Sequence, residues 1–214
     1  IARTLPFRLA VDSVRTRHTT ITYGERWPNS SVPATLRWTD VRTTITGLQN
    51  ANAAHAPLTL SARGTFQGQS TMDATFVIPL TSSVYTVDAR GSLGRFDVTS
   101  LNSFLPIAEN VRIRSGVATS ATFAYSVRGR ACTGTVSPHF TNLRIDLVNR
   151  KTKKKGGLFN VVASFMANWL VIKNDNDGED FEDGVIRYTL PADAAIMQTI
   201  WFPVREGLTK AAGL

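Results

Sequence analysis

Alternation of apolar and polar residues with a period of two runs from the start of the chain to about residue 148, and it commits most of the molecule to β-strands. Phe7, Leu9 and Val11 take one parity against Arg8 and Ala10. A second strand over 18–23 sets Ile21 and Tyr23 against Thr20 and Thr22. In the Thr-rich segment 35–48, Leu36 and Trp38 share one parity and Val41 and Ile45 the other, so a bulge near Asp40 is needed to reconcile the halves. Further strands are predicted over 58–66, 71–80, 84–93, 111–114, 117–128 and 131–148, the second of them alternating Met72, Ala74, Phe76 and Ile78. Gly64 with Gly68, Ser82-Ser83, and Gly91 with Gly94 supply the turns. Short connections of this kind imply antiparallel pairing in a meander. One short helix interrupts it, with Asp97 or Thr99 as N-cap, Leu101, Phe104 and Leu105 as its apolar side, and a break near Pro106.

The last third changes character. A basic cluster, Arg150, Lys151, Lys153, Lys154 and Lys155, precedes an apolar run over 158–172. Asn160, Ser164 and Asn168 are spaced by four, which gathers the polar residues of that run on one stripe of a helix. Such a helix is about 22 Å long, too short to span a bilayer. It either packs on the sheet or enters an acyl-chain groove, with the lysines beside anionic headgroups. On the second reading Lys151, Lys153, Lys154, Lys155, Phe159, Phe165 and Trp169 face a membrane or a partner. An acidic loop, a strand over 184–190 and a helix from Ala192 to about Ala212 follow. The expected organisation is a sheet groove over 1–150, closed by a helical region with one strand over 151–214, within one domain.

Chemistry is conspicuous by its absence. Cys132 is the single cysteine, so neither an intrachain disulfide nor a thiolate cluster can form. His18, His55 and His139 stand far apart, and no H-E-x-x-H, G-x-S-x-G, Walker or dinucleotide motif occurs. Placing Gly178 at the glycine of an EF-hand puts Lys173 and Gly184 where carboxylates belong, so the acidic loop fails as that calcium site. The basic cluster lacks interleaved aromatics, which argues against nucleic acid. The net charge of +8 is spread mainly over arginines in the strands and reads as solvated strand faces. No enzyme, metal or cofactor is expected. The chain starts at Ile1 rather than Met, which suggests a piece of something longer.

Several segments, taken in order, resemble a known group. They are "ITYGER" at 21–26, "LRWTDVRTTITGLQN" at 36–50, "DVTSLNSFLPIAENVRIRSG" at 97–116, "NLRIDLVNRKTKKK" at 142–155, "FMANWLVIKNDN" at 165–176, "GVIRYTL" at 184–190 and "IWFPVREGLTKAAGL" at 200–214. Their order is similar to the C-terminal region of AsmA-like proteins of the Bacteroidota, within the AsmA/TamB/YhdP superfamily. The resemblance implies a long sheet curled into a taco-like trough with an apolar interior. It also implies a periplasmic location, an inner-membrane anchor outside this chain, and phospholipid transport toward the outer membrane. The expected lining is Phe7, Leu9, Val11, Ile21, Tyr23, Leu58, Leu60, Met72, Phe76, Ile78, Phe123 and Tyr125. A phospholipid or other acyl-chain ligand is then the partner, with a membrane surface or envelope protein beside it. The rival expectation is an assembly module whose helices dock an envelope protein.

Overall fold

The computed structural model describes residues 7–27, 30–50, 57–80, 82–148 and 173–213. Strands β1 (Ala10–Glu25), β2 (Ala34–Gln49), β3 (Leu58–Phe66), β4 (Ser70–Ile78) and β5 (Thr86–Leu93) follow one another as an antiparallel meander. The short β6 (Phe96–Asp97), a 3-10 turn (Val98–Ser103) and helix α1 (Leu105–Ala108) then lead into β7 (Val111–Arg128) and β8 (Ala131–Leu147). A 3-10 turn (Gly178–Asp180), β9 (Gly184–Thr189) and helix α2 (Ile196–Ala211) complete the described chain. All nine strands belong to one sheet, in the order β1-β2-β3-β4-β5-β7-β8-β9, with β6 paired to β7. This is the mainly β, antiparallel meander with a C-terminal helix that the alternation predicts. The helix expected over 158–172 and the basic cluster lie outside the described residues.

Bulges merge strands that the sequence separates. Asp40 takes a φ of 48°, and the β2–β3 register shifts between Thr39 and Arg42, where the parity change demands it. Its partner bulge is at His18, φ 53°, inside a single β1 that absorbs the expected break between residues 11 and 18. Two left-handed non-glycine residues thus sit side by side, tied by His18 Nδ1 and Asp40 Oδ1 at 2.7 Å. The segments 111–114 and 117–128 likewise fuse into β7 across register shifts near Ser115. The mid-chain helix is interrupted near Pro106 as expected, although Pro106 itself is helical. It sits in the first turn of α1, where its missing N–H costs nothing, and the break falls at Phe104. Asp97 is the N-cap, accepting from Thr99 N at 2.8 Å, and those hydrogen bonds hold its carboxyl below the usual range.

Two apolar clusters lie against the sheet. In one, the 3-10 turn and α1 press Phe104 and Leu105 onto Leu36, Phe66, Phe96 and Ile113, with Tyr23, Trp38 and Trp201 around them. In the other, α2 brings Phe202 and Leu208 over Val87, Tyr125, Val127, Cys132, Val136 and Ile186.

Candidate functional site: the apolar face of the sheet

Directly paired residues in an antiparallel sheet share a face, so the register carries one face across the whole molecule. Val14, Ile45, Leu60, Phe76, Ala89, Tyr125, Gly134 and Ile186 form a single transverse row. The next row, on the opposite face, is Arg15, Thr44, Ser61, Thr75, Arg90, Ala124, Thr135 and Val185. One face is therefore apolar and the other polar.

Among the described residues the apolar row is covered by a helix at one end and bare of one at the other. Ile186 is 1% exposed and Ala89 and Tyr125 are 4% exposed; Phe76, Leu60 and Ile45 are half-buried; Val14 reaches 36%. With strands about 4.8 Å apart the row is about 34 Å long. Val14, Ile21, Ile45, Leu58 and Leu60 belong to neither buried cluster. The apolar face thus extends past its described helical cover toward β1.

Nine of the twelve expected lining residues fall on this face: Ile21, Tyr23, Leu58, Leu60, Met72, Phe76, Ile78, Phe123 and Tyr125. The bulge at His18 separates the others. Because two bulge residues of β1 stand opposite one of β2, the odd-numbered residues change sides, and Val11 lies on the face opposite to Ile21 and Tyr23. Leu9 and Phe7 precede β1, and Phe7 is 58% exposed. The nine on this face also divide by role. Tyr23 and Met72 pack against the first cluster, while Phe76, Ile78, Phe123 and Tyr125 belong to or pack against the second. Ile21, Leu58 and Leu60 remain outside both. Lys151, Lys153, Lys154, Lys155, Phe159, Phe165 and Trp169 lie outside the described residues.

Sequence reasoning overlooked the device that seats α2. Pro203 lies inside this helix and donates no hydrogen bond, which frees the carbonyl of Thr199 one turn earlier. Tyr125 Oη donates to that carbonyl at 3.4 Å. Burial raises the Tyr125 pKa, so the phenol stays a donor. The only advance signal was a proline at the centre of an apolar helix. A second fastening is ionic: Arg205 Nη1 lies 3.3 Å from Glu109 Oε1, both side chains are nearly buried, and Trp201 Nε1 donates to the same oxygen at 3.1 Å.

Comparison with protein-family models, with curated proteins and with solved structures finds no match.

The acidic loop has structural employment. Asn176 is fully buried and bonds Pro138 O and the backbone of Glu182. Asp177 meets His139 at 3.1 Å, which lowers its pKa, and His139 stacks on Phe181. Asp175 accepts from Asn142 N, and Asp183 from Ser137 Oγ. Among the described residues no group of three His, Cys, Asp or Glu side chains is placed to hold a metal ion, and no helix is long and apolar enough to cross a membrane. Cys132 is buried, and burial pushes its thiol up to about 11, which suits a packed side chain rather than a nucleophile.

Proposed function

We propose that this chain is a periplasmic segment of an AsmA-like envelope protein that binds and shields phospholipid acyl chains on their way from the inner to the outer membrane, without catalysis or cofactor. The observation that carries this reading is the apolar row that runs from buried Ile186 to exposed Val14 and, among the described residues, leaves its helical cover on the way. The ordered segments similar to AsmA-like proteins agree with it. An acyl chain laid along the open part would recover about 0.8 kcal/mol per methylene removed from water. Along the less covered part of the row Val14, Ile45, Leu60 and Phe76 place no polar side chain in the path of a tail, and the flanking Thr16 and Thr43 hydroxyls bond each other at 2.8 Å.

The test is native mass spectrometry, with lipid extraction, of protein purified from cells without detergent. Phospholipid should co-purify and should be lost on Ile21→Asp or Leu60→Asp, positions outside the packed clusters. Lipid-free protein that also takes up no fluorescent phospholipid would sink the proposal.

One observation favours the assembly-module reading instead. Val84 and Tyr85 are about half exposed; Tyr85 touches Thr199 in the first turn of α2, where Ile196 is 78% exposed. An apolar end of this kind suits a protein partner, and lipid-free protein would leave that reading standing.

A further inference from the structure

The polar face carries a second, separate surface. Arg15, Arg17, Arg37, Arg42, Arg63 and Arg90 all project from it, every one exposed, and Asp40, Asp73 and Asp88 are the acids among them. Arg42 and Arg63 are direct cross-strand partners, an arrangement that repels unless an anion bridges it. Arg17 continues the line in the bulge on β1, beside Arg42. Asp40 answers Arg42 at 3.3 Å and Asp73 answers Arg63 at 3.7 Å, but Arg15, Arg17, Arg37 and Arg90 make no ion pair among the described residues.

The spaces between these cations are filled by hydroxyls. Between Arg15 and Arg90 the row reads Thr44, Ser61, Thr75, across about 19 Å. Guanidinium groups interleaved with hydroxyl donors are the chemistry that binds phosphate oxygens. At Arg90 the face dips into an open depression of about 320 Å³, lined by Thr75, Ser126 and Thr133 and also by the apolar Val77 and Ala124. Its one acid, Asp88, is neutralised by Arg128 at 2.7 Å.

We infer that this arginine–hydroxyl face docks on the headgroup layer of an anionic phospholipid bilayer. Charge complementarity selects a polyanion, and the shape of the face selects which one. Apart from the imidazole of His18 beside Asp40, no ring projects from this face of β1 to β5 to stack successive bases of a single strand, and among the described residues no helix or narrow ribbon stands out from it to enter a duplex groove. A broad sheet face with distributed cations instead matches a surface of distributed phosphates. The inference concerns the face opposite the apolar row and does not depend on acyl-chain binding.

The test is sedimentation of the whole chain with vesicles of phosphatidylglycerol and phosphatidylcholine, against vesicles of phosphatidylcholine alone. Binding should require phosphatidylglycerol and fade as salt rises from about 0.05 M to about 0.5 M. The double variant Arg42→Gln, Arg63→Gln should bind about 25-fold more weakly, roughly fivefold for each arginine near an anionic surface. Both residues form only exposed ion pairs, so the variant should melt like the parent by circular dichroism. A second variant, Lys151, Lys153, Lys154 and Lys155 all to Gln, should bind more tightly than the arginine variant. Equal sedimentation with neutral vesicles, unchanged binding by the arginine variant, or loss confined to the lysine variant would each overturn the inference. So would tighter capture by duplex DNA than by the anionic vesicles. Uptake of fluorescent phospholipid by the arginine variant, measured alongside, reports on the apolar row separately.

Discussion

Single atoms decide how closely the C-terminal helix can lie on the sheet. Gly184 on β9 and Gly207 on α2 meet backbone to backbone, and a Cβ on Gly184 would overlap the Gly207 carbonyl. An alanine at 184 must therefore lift the helix, and Gly184→Ala should lose about 3 kcal/mol of stability in urea unfolding. Gly207→Ala meets Val136 Cγ2 at 2.5 Å and should also destabilise. The two losses should fall short of additivity, because they open the same contact. Cys132 and Tyr125 under this helix make a pH prediction. Burial raises both pKa values, the thiol to about 11. An acid whose folded pKa exceeds its unfolded one supports the fold below the unfolded value and loses that support as pH rises through the folded value. Urea midpoints should thus hold steady to about pH 8 and fall between about pH 9 and 11. At pH 8 the thiol should resist an aromatic disulfide reagent until denaturant is added; rapid labelling of the native protein would contradict its burial.

Elements were legible where side-chain pattern dictates them. The parity conflict between Trp38 and Val41 announced the bulge at Asp40, and Asp97 announced its cap. The bulge at His18 left no trace, because Arg17, His18 and Thr19 are polar whichever way they point. That one silent shift turned Val11 away from the face holding Ile21. The division of the apolar face into packed clusters and an open row was illegible for another reason. Alternation says which residues share a face and not what covers it, and the cover comes from residues far off in sequence. Glu109 and Arg205 are the sharpest case, since their charges carry no sign that they meet in the interior, where Arg205 also stacks on Phe202. Arg205→Met would leave the Glu109 carboxylate buried without its guanidinium and should cost about 3–5 kcal/mol. Adding Glu109→Leu to that variant should restore much of the loss, as measured by chemical denaturation, because an apolar pair needs no partner. Failure of the double variant to recover would mean that bonds other than the ion pair, the one from Trp201 Nε1 among them, position α2.

At the scale of the whole molecule, the apolar face of the sheet falls into two regions that differ in burial. Near β8 and β9 the face is core: Val127 and Ile186 are each 1% exposed and contribute stability. Near β1 the same face is unclaimed by either cluster, and Val14 and Ile21 stand 36% and 44% exposed. A charge placed in these two regions should therefore have opposite consequences. Val127→Asp buries a carboxylate without a partner and should unfold the protein or leave it molten, at a cost of several kcal/mol. Ile21→Asp sits where water already reaches and should shift stability by about 1 kcal/mol or less. Yet if acyl chains travel along the open row, Ile21→Asp should abolish uptake of a fluorescent phospholipid that the parent protein binds. Urea unfolding and lipid uptake measured on the same two variants separate packing from lipid binding. Should Ile21→Asp leave uptake intact while keeping its fold, the lipid does not follow this row. Should it unfold the chain, then the face near β1 is packed core after all, and no open path exists there.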